Sequence, residues 1–245
     1  MPMEIYERLS QVYDLDWGEF SKQYVSLINQ LLDGRGIAQA RILDLACGTG
    51  TLAVELANRG HYVYGIDISP QMIEKAKSKS IVSSNVSFEV QDMTFFAVED
   101  KFDLATCTFD SINYLLDPNG VKAMFYRLVT ALHKSGLFVF DSNTDPLYTN
   151  RHKGTHKHDL GGESFVQKCS YDSIKKEATT VFEFSDGTIE VHKQRPYNLV
   201  ELEPLLADAG LRVVDTFAGF DKRPYNSESE RLICIAEKEI MDNGA

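Results

Sequence analysis

The spacing of hydrophobic positions changes several times along the chain, and each change predicts a different element. Between residues 19 and 32, apolar side chains recur every three or four positions, which predicts an amphipathic helix that ends near Gly34. Short apolar runs then alternate with helical segments as far as residue 140. The runs predict strands over residues 41–46, 62–66, 86–90, 104–108 and 137–140. The segments between them predict helices over residues 51–58, 70–78 and 121–133. Such alternation is typical of a doubly wound α/β fold with parallel strands and right-handed crossovers.

This alternation breaks after Asn143. Residues 164–193 alternate polar and apolar side chains around the turn sequence SDGT at 185–188, which predicts a small antiparallel β insertion of two or three strands after the fifth strand. Helical spacing returns at residues 199–209 and ends at Gly210, and two further strands are predicted near 212–217 and 231–236. The chain is thus expected to divide into an N-terminal core, the insertion, and a C-terminal completion of the core, over residues 1–143, 144–198 and 199–245.

The composition is that of an ordinary globular domain, with 43% hydrophobic and 25% charged residues among 245. We expect no membrane span and no signal peptide, because the chain has no long apolar run and no basic segment before an apolar one at its start. Four scattered cysteines without a CxxC pair favour a reduced, cytoplasmic protein. A net charge of −11 without a basic cluster argues against a nucleic-acid partner.

The segment DLACGTG at residues 44–50 joins the first predicted strand to the helix that follows. In a doubly wound sheet this turn is where nucleotides are held. Gly48 and Gly50 lack a Cβ, so their backbone can approach a ligand closely. The spacing of these glycines with Ala53 also fits the fingerprint of dinucleotide-binding proteins. By itself the loop therefore predicts a nucleotide-like cofactor without identifying it.

Asp44, at the end of the first strand, distinguishes between two cofactors. A dinucleotide places its pyrophosphate at the helix N-terminus, where the helix dipole favours an anion, and a carboxylate there would repel it. S-adenosylmethionine has no phosphate and offers an ammonium and a sulfonium, which a carboxylate suits. A nicotinamide-dependent oxidoreductase is therefore the less favoured alternative.

Two further acids follow predicted strands. Asp67 ends the second strand, the position from which a carboxylate accepts hydrogen bonds from ribose hydroxyls. The alternative is that it caps the helix beginning at Pro70, for which Ser69 is also a candidate cap. Asp92 and Met93 end the third strand, where an acid can accept from an adenine amino group and an apolar side chain can cover the ring.

Three segments together resemble the cofactor motifs of class I S-adenosylmethionine-dependent methyltransferases. They are DLACGTG at residues 44–50, GIDISPQM at 65–72 and QDM at 91–93. The resemblance is specific over residues 41–143 and implies a sheet of seven strands with the last one antiparallel. It assigns Ala46 and Gly48 to the methionine moiety, Asp67 to the ribose and Asp92 to the adenine. The segment CTFDSINYL at 107–115 resembles the motif whose backbone faces the sulfonium.

The cofactor that this resemblance implies is S-adenosylmethionine. In relatives an N-terminal Tyr-Asp segment closes over the cofactor, and an aromatic ring at Tyr13 would suit a sulfonium because a cation favours a π face. Ordinary helix packing is the alternative for Tyr13. The expected cofactor-binding residues are Tyr13, Asp44, Ala46, Gly48, Gly50, Asp67, Ile68, Gln91, Asp92, Met93 and Thr108.

Methyl transfer is an in-line displacement that depends on alignment and on exclusion of water, so no catalytic side chain is predicted. The chain has no (Asn/Asp)-Pro-Pro-Tyr segment, which argues against amino groups of nucleobases or glutamine as acceptors, and no Pro-Cys pair, which argues against cytosine C5. We expect a small-molecule acceptor with a nitrogen or oxygen nucleophile. The insertion and the N-terminal lid are the expected walls of its pocket. A protein that binds S-adenosylmethionine without catalysis is the alternative from another class.

A few other residues attract attention. His152, His156 and His158 suggest a zinc site, although histidines in a loop are more often exposed, and we expect no metal. Asp110 has either a functional role or a capping one. Arg195 and Tyr197 are candidates to face the acceptor pocket, and Cys47 is interpreted as a small buried residue, not a nucleophile.

Overall fold

The computed structural model describes residues 5–17, 20–80 and 84–240, and a seven-stranded sheet forms its centre. The strand order is β10-β11-β5-β4-β1-β2-β3. Its strands are β1 Arg41–Leu45, β2 Tyr62–Asp67, β3 Val86–Val90, β4 Phe102–Cys107, β5 Leu132–Asn143, β10 Leu211–Phe217 and β11 Arg231–Lys238. The order reverses between β1 and β4, and the carboxyl ends of strands at such a reversal open a crevice.

The pairing within this sheet confirms the doubly wound, mostly parallel fold. Strands β1 to β5 pair in parallel. The last strand, β11, runs antiparallel to both β5 and β10. The central strands are apolar on both faces because helices cover both, so that neighbouring Ile42 and Leu43 belong to different core clusters.

The helices that cover the sheet begin and end at recognisable residues. They are α2 Ser21–Gly34, α3 Thr51–Ala57, α4 Pro70–Lys79, α5 Pro118–Ala131 and α7 Leu199–Ala209. The Ser69 hydroxyl caps α4, and Gly210 ends α7 with a left-handed φ of 86°. Helix α5 begins three residues before the predicted start because Asp117 caps it and Pro118 takes the first position.

A separate antiparallel sheet follows the short helix α6 Asp145–Asn150; we call it the insertion sheet. It holds β6 Gly154–Leu160, β7 Glu163–Asp172, β8 Glu177–Phe184 and β9 Ile189–Gln194, in that order. The antiparallel insertion and its turn between β8 and β9 are confirmed. The expectation of two or three strands was wrong, because there are four. The sequence did not reveal β6, whose side chains are exposed or half-buried on both faces and show no alternation.

Residues 5–17 lie against the insertion sheet, and we call them the lid. They contain a 3-10 helix, Leu9–Gln11, and the short helix α1 Tyr13–Asp16. Their buried contact with the insertion sheet consists of Leu9, Val12, Phe165, Phe182 and Phe184. Within the described residues, no helix is both long and apolar enough to span a membrane.

Candidate functional site

A cleft opens where β1, β2 and β4 end and the glycine loop leads into α3; we call it the glycine-loop cleft. Its volume is about 840 Å³, a figure that includes space open to solvent. The lid contributes Tyr6, Tyr13, Asp14 and Trp17 to its wall. The cleft therefore lies between the core sheet and the lid.

Most of the expected cofactor-binding residues line this cleft. They are Tyr13, Asp44, Ala46, Gly48, Asp67, Ile68, Met93 and Thr108. They come from the lid, the glycine loop and the residues at or just after the ends of four strands, so the fold brings together side chains that are far apart in the sequence. The expected residues Gly50, Gln91 and Asp92 are not among those that line it.

Gly48 and Gly50 are required for different reasons. Both have a left-handed backbone, with φ of 56° and 73°. A Cβ on Gly48 would meet nothing within 4 Å, so this residue faces open space in the cleft. A Cβ on Gly50 would lie 2.6 Å from Phe88 Cζ and 2.8 Å from Ala76 Cβ. The second glycine is therefore explained by packing under α3, whereas the first borders the site.

Gln91 and Asp92 are engaged in local contacts beside the cleft. The Gln91 amide donates to the Tyr64 hydroxyl at 3.0 Å, and its oxygen accepts from the Ala97 N–H at 2.9 Å. The exposed Asp92 carboxylate accepts from the Thr94 N–H at 2.7 Å and closes the turn after β3. The carboxylate contacts of Asp92 with Thr94 use one oxygen, Oδ1.

Asp44 is a buried carboxyl group at the floor of the cleft, with only 1% of its surface exposed. The Thr106 hydroxyl donates to its Oδ1 at 2.6 Å. Its Oδ2 has no hydrogen-bond partner among the described residues. Burial raises the pKa of Asp44 to about 7, the charge of Asp67 adds to this, and the Thr106 bond opposes it. A cation in the cleft would favour the ionised form.

Asp67 connects the glycine loop to the end of β2. Its Oδ2 accepts from the Gly48 N–H at 2.9 Å, and its Oδ1 accepts from the Ser69 N–H at 2.8 Å. Burial raises the pKa of Asp67, while the two backbone N–H groups lower it. The cap of α4 is the Ser69 hydroxyl, so the carboxylate positions the loop and also lines the cleft.

A polar cluster fastens the lid to the glycine loop. Asp14 Oδ1 accepts from the Thr49 hydroxyl at 2.6 Å and from the Thr51 hydroxyl at 3.2 Å. Lys79, from the end of α4, forms an ion pair with Asp14 Oδ2 at 2.6 Å and donates to both threonines. We call this set the lid latch. Sequence analysis missed it, because its members come from three elements.

Tyr13 combines the two roles that its sequence position left open. Its ring stacks on Trp17 at 5.6 Å and meets Tyr6 edge-on at 5.9 Å. It also lines the glycine-loop cleft. The three rings therefore form a continuous aromatic wall along the lid.

A second cleft lies between the lid, the core and the insertion sheet, and we call it the insertion cleft. Its volume is about 860 Å³ including the space open to solvent. Its polar lining residues are Asp110, His152, Gln167, Thr180, His192, Gln194 and Arg231. Tyr6, Tyr13, Trp17, Phe109 and Tyr114 line both clefts. The two clefts are therefore neighbours that share a wall of aromatic side chains.

Asp110 and Arg231 form the charged end of the insertion cleft. Arg231 Nη2 lies 3.1 Å from Asp110 Oδ1, and Nη1 pairs with the buried Asp141. Gln194 from β9 donates to Asp110 Oδ2 at 2.7 Å. Asp110 makes no side-chain capping bond to the 3-10 helix Ser111–Tyr114 that follows it, so the capping alternative is excluded. One guanidinium therefore pairs with two carboxyl groups at this end of the cleft.

Comparison with known proteins identifies the family. Residues 42–136 match the family described as a methyltransferase domain. A protein of Geobacillus sp. (strain WCH70) that is named as a methyltransferase is 31% identical over 211 residues, which cover 81% of this chain and 84% of the relative. The chain belongs to the class I S-adenosylmethionine-dependent methyltransferases.

Solved structures share the methyltransferase fold over nearly the whole chain. An S-adenosylmethionine-dependent methyltransferase from Clostridium acetobutylicum ATCC 824 has a TM-score of 0.83 at 22% identity, covering 96% of this chain and 99% of its own. An amino pentose methyltransferase from Micromonospora echinaspora, with S-adenosylmethionine bound, has a TM-score of 0.69 at 19% identity and covers 97% of this chain and 98% of its own. These likenesses extend the family fold to the insertion sheet and the lid.

The sequence analysis of this methyltransferase did not predict the polar lining of the insertion cleft, although the alternation of buried positions in β8 indicates it. In β8 the buried positions are the even-numbered ones, which include Thr180 and Phe182. Thr180 pairs with His192 and Phe182 with Glu190, so these two residues of β9 share the buried face. Polar side chains at inward positions of a strand need hydrogen-bond partners and often mark a site.

The remaining residues that the sequence of this methyltransferase suggested for the site differ in whether they line a cleft. His152 lines the insertion cleft and lies 3.2 Å from the Thr180 hydroxyl. No cluster that could hold a metal ion occurs among residues 5–17, 20–80 and 84–240. Arg195 pairs with Glu201, and the Tyr197 hydroxyl donates to a backbone oxygen of Leu115. Neither of these two residues lines either cleft.

Proposed function

We propose that this methyltransferase moves the methyl group of S-adenosylmethionine to a nitrogen or oxygen nucleophile of a small-molecule acceptor by in-line displacement. The observation that carries the proposal is the pair of adjacent clefts. One is built around the glycine loop, the other between the core and the insertion sheet, and they share five aromatic residues. Two ligands bound in them would meet at that shared wall.

The charges and shape of the glycine-loop cleft fit S-adenosylmethionine. Asp44 offers a buried carboxylate oxygen that has no partner among the described residues, which suits the ammonium of the methionine moiety. Gly48 leaves open space in which backbone and ligand can come close. Asp67 suits the ribose hydroxyls, and Ile68 and Met93 supply apolar surface for the adenine. In this proposal Asp92 reaches the adenine with Oδ2, and Thr108 borders the sulfonium.

The insertion cleft fits a small polar acceptor. Aromatic side chains form one part of its lining and hydrogen-bonding side chains the other. Pockets of this kind hold a ligand by apolar contact and orient it with a few polar groups. The carboxyl group of Asp110, which lines the cleft, favours a neutral or positively charged acceptor over an anionic one.

The chemistry asks mainly for alignment. When bound, S-adenosylmethionine supplies a methyl carbon on a cationic sulfur, and displacement leaves the electron pair on that sulfur. The aromatic wall at the border of the clefts excludes water and presents π faces to the positive charge. Positioning two reactants in this way removes much of the entropic barrier to their reaction.

Two measurements test this function. Calorimetry should detect binding of S-adenosylhomocysteine and none of NAD. Formation of S-adenosylhomocysteine should then depend on a small acceptor, and the first probes are glucosamine, sarcosine, ethanolamine and catechol. Binding of NAD without S-adenosylhomocysteine would contradict the proposal. Cofactor binding without turnover of any small molecule would favour a protein that binds S-adenosylmethionine without catalysis.

A further inference from the structure

A chain of hydrogen bonds runs from the insertion sheet to the border of the two clefts. Glu190 and His192 lie on one face of β9, with exposures of 0% and 3%. His192 Nε2 is 3.2 Å from Glu190 Oε2, and Nδ1 is 2.9 Å from the Tyr114 hydroxyl. The Tyr114 hydroxyl is 2.5 Å from the Tyr6 hydroxyl. The four side chains are thus connected without a gap.

The partners of Glu190 give this chain a direction. Its Oε1 accepts from the Leu9 N–H at 3.0 Å and from the Arg8 N–H, so both carboxylate oxygens act as acceptors. The neutral imidazole of His192 therefore carries its proton on Nε2, which leaves Nδ1 as an acceptor. With that tautomer, Tyr114 donates to Nδ1, and Tyr6 donates to Tyr114. The Tyr6 oxygen is then the one hydroxyl oxygen of the chain that accepts no hydrogen bond from another member.

The chain leads from the place where two ligands would meet into the protein interior. Tyr6 and Tyr114 line both clefts, His192 lines the insertion cleft, and Glu190 lines neither. Tyr6 has a left-handed φ of 66°, which a tyrosine adopts only when its surroundings hold it there. Its ring meets the imidazole of His192 edge-on at 4.7 Å.

We propose that Glu190, His192, Tyr114 and Tyr6 form a proton relay that deprotonates the acceptor nucleophile, an inference that rests on the proposed function. A basic amine arrives as an ammonium and has no lone pair until it loses a proton, and a hydroxyl attacks better as its proton leaves. Tyr6 is the catalytic residue that would touch the acceptor. His192 and Glu190 act through it as positioning residues.

The proton balance is complete within the named groups. The nucleophile gives a proton to the Tyr6 oxygen, Tyr6 gives its own to Tyr114, and Tyr114 gives its own to His192 Nδ1. The resulting imidazolium is stabilised by the Glu190 carboxylate. The freed nucleophile bonds to the methyl carbon, and the electron pair of the broken carbon–sulfur bond remains on sulfur. The proton returns to solvent after the product leaves.

The charged and titratable groups around the relay are compatible with this role. Burial raises the pKa of Tyr6 and of Tyr114, and the Asp110 carboxylate adds to both. Each tyrosine therefore keeps a proton at neutral pH and passes one on only as it receives another. Tyr13 and Asp67 also face this region. Strand β8 places the uncharged Phe182 and Thr180 against His192.

The first test needs no acceptor. Nuclear magnetic resonance of isotope-labelled imidazole nitrogens should show the His192 proton on Nε2 in the free protein. Glu190→Gln should move it to Nδ1, because the amide oxygen keeps the two backbone N–H groups and its NH₂ group then faces Nε2. A wild-type proton on Nδ1, or no change in Glu190→Gln, overturns the relay.

The second test is kinetic and uses the probe acceptor with the highest turnover. His192→Gln, Glu190→Gln and Tyr114→Phe should each lower kcat by about 100-fold or more, the usual contribution of an acid–base group. The acceptor KM should stay within about threefold, because binding is not the step affected. The acid limb of the kcat–pH profile should disappear in His192→Gln. His158→Gln is the matched control, because this histidine lies in the same sheet outside both clefts.

The outcomes separate the relay from a structural role and from the proposed function. Variants that lower thermal stability and cofactor affinity, with the pH profile unchanged, would show that the chain only holds the lid. An unchanged kcat in His192→Gln, or an equal loss in His158→Gln, overturns the relay. If the wild type turns over no probe acceptor, the proposed function fails, and the tautomer measurement still decides whether the hydrogen-bond chain has the direction required of a relay.

Discussion

Cofactor binding should depend on pH through Asp44. This carboxyl group is buried, one of its oxygens has no partner among the described residues, and its pKa is raised to about 7. An ammonium beside it favours the carboxylate and lowers that pKa. Binding at neutral pH should therefore release a proton, and affinity should rise as the pH rises through about 7.

The magnitude follows from the protonated fraction of Asp44 in the free protein. With a pKa of about 7, the affinity falls about tenfold for each pH unit below that value. Between about pH 7.5 and about pH 5 the loss is roughly 50- to 100-fold. Above about pH 8 the affinity falls again, because the amino group of the ligand itself loses its proton.

Calorimetry with S-adenosylhomocysteine in buffers of different ionisation enthalpy measures this directly. At about pH 6, binding should release about 0.9 proton, the fraction of Asp44 that is protonated before binding. Asp44→Asn keeps the shape and removes the titration, so its affinity should be nearly flat below about pH 7 and weaker by about 1.5–3 kcal/mol at about pH 7.5. Proton uptake on binding, or a pH dependence that survives in Asp44→Asn, would refute this reasoning.

Four further predictions concern stability and cofactor affinity. Folding raises the pKa of Asp44, so its neutral form stabilises the folded protein fully only at a pH below the pKa of the unfolded state. This stabilisation is lost as the pH rises through about 7. Asp44→Asn should therefore raise the melting temperature of the free protein at about pH 8. Asp67→Ala should weaken S-adenosylhomocysteine binding by about 1.5–3 kcal/mol, measured by calorimetry, because the glycine loop loses the acceptor for the Gly48 N–H. Gly50→Ala should cost at least about 2 kcal/mol of unfolding free energy, because its Cβ would overlap Phe88, whereas Gly48→Ala should cost about 1 kcal/mol and reduce affinity. Lys79→Met should raise the S-adenosylhomocysteine dissociation rate about two- to fivefold in stopped-flow measurements, because it weakens a partly exposed lid latch.

Each of these predictions has an outcome that contradicts it. An Asp44→Asn variant that melts no later than wild type at alkaline pH would show that the buried carboxyl group ionises without cost. An Asp67→Ala variant with unchanged affinity would leave Asp67 without a part in cofactor binding. Equal stability losses in the two glycine variants would remove the distinction between packing and site. An unchanged dissociation rate in Lys79→Met would show that the latch does not hold the lid.

The sequence was sufficient for the core because local patterns determine it. Apolar runs alternating with helical spacing specified β1 to β5 and their helices, and carboxylates at strand ends then fell at one edge of the sheet. Asp44, Asp67 and Gly48, which line one cleft, could therefore be assigned to a common site from the sequence alone. Gly50 was expected in the site as well, but only the three-dimensional packing against Phe88 shows why it must be glycine.

The insertion cleft could not be predicted because it depends on contacts between distant segments. His192 meets Tyr114 and Tyr6 across 78 and 186 positions of the chain, and no local pattern encodes such pairs. Strand β6 was missed because neither of its faces is fully buried. Helix α5 begins before the predicted residue 121 because the Asp117 cap and Pro118 determine its first residue, and the apolar spacing starts only later.

The most direct test of a small-molecule methyltransferase is to follow a labelled methyl group. S-adenosylmethionine with an isotope-labelled methyl is incubated with the protein and an extract of the source cells, and the mixture is ultrafiltered before mass spectrometry. The label should appear on nitrogen or oxygen of a compound in the small-molecule fraction, with an equal amount of S-adenosylhomocysteine. Label confined to protein or nucleic acid, or no transferred label despite tight cofactor binding, would contradict the account.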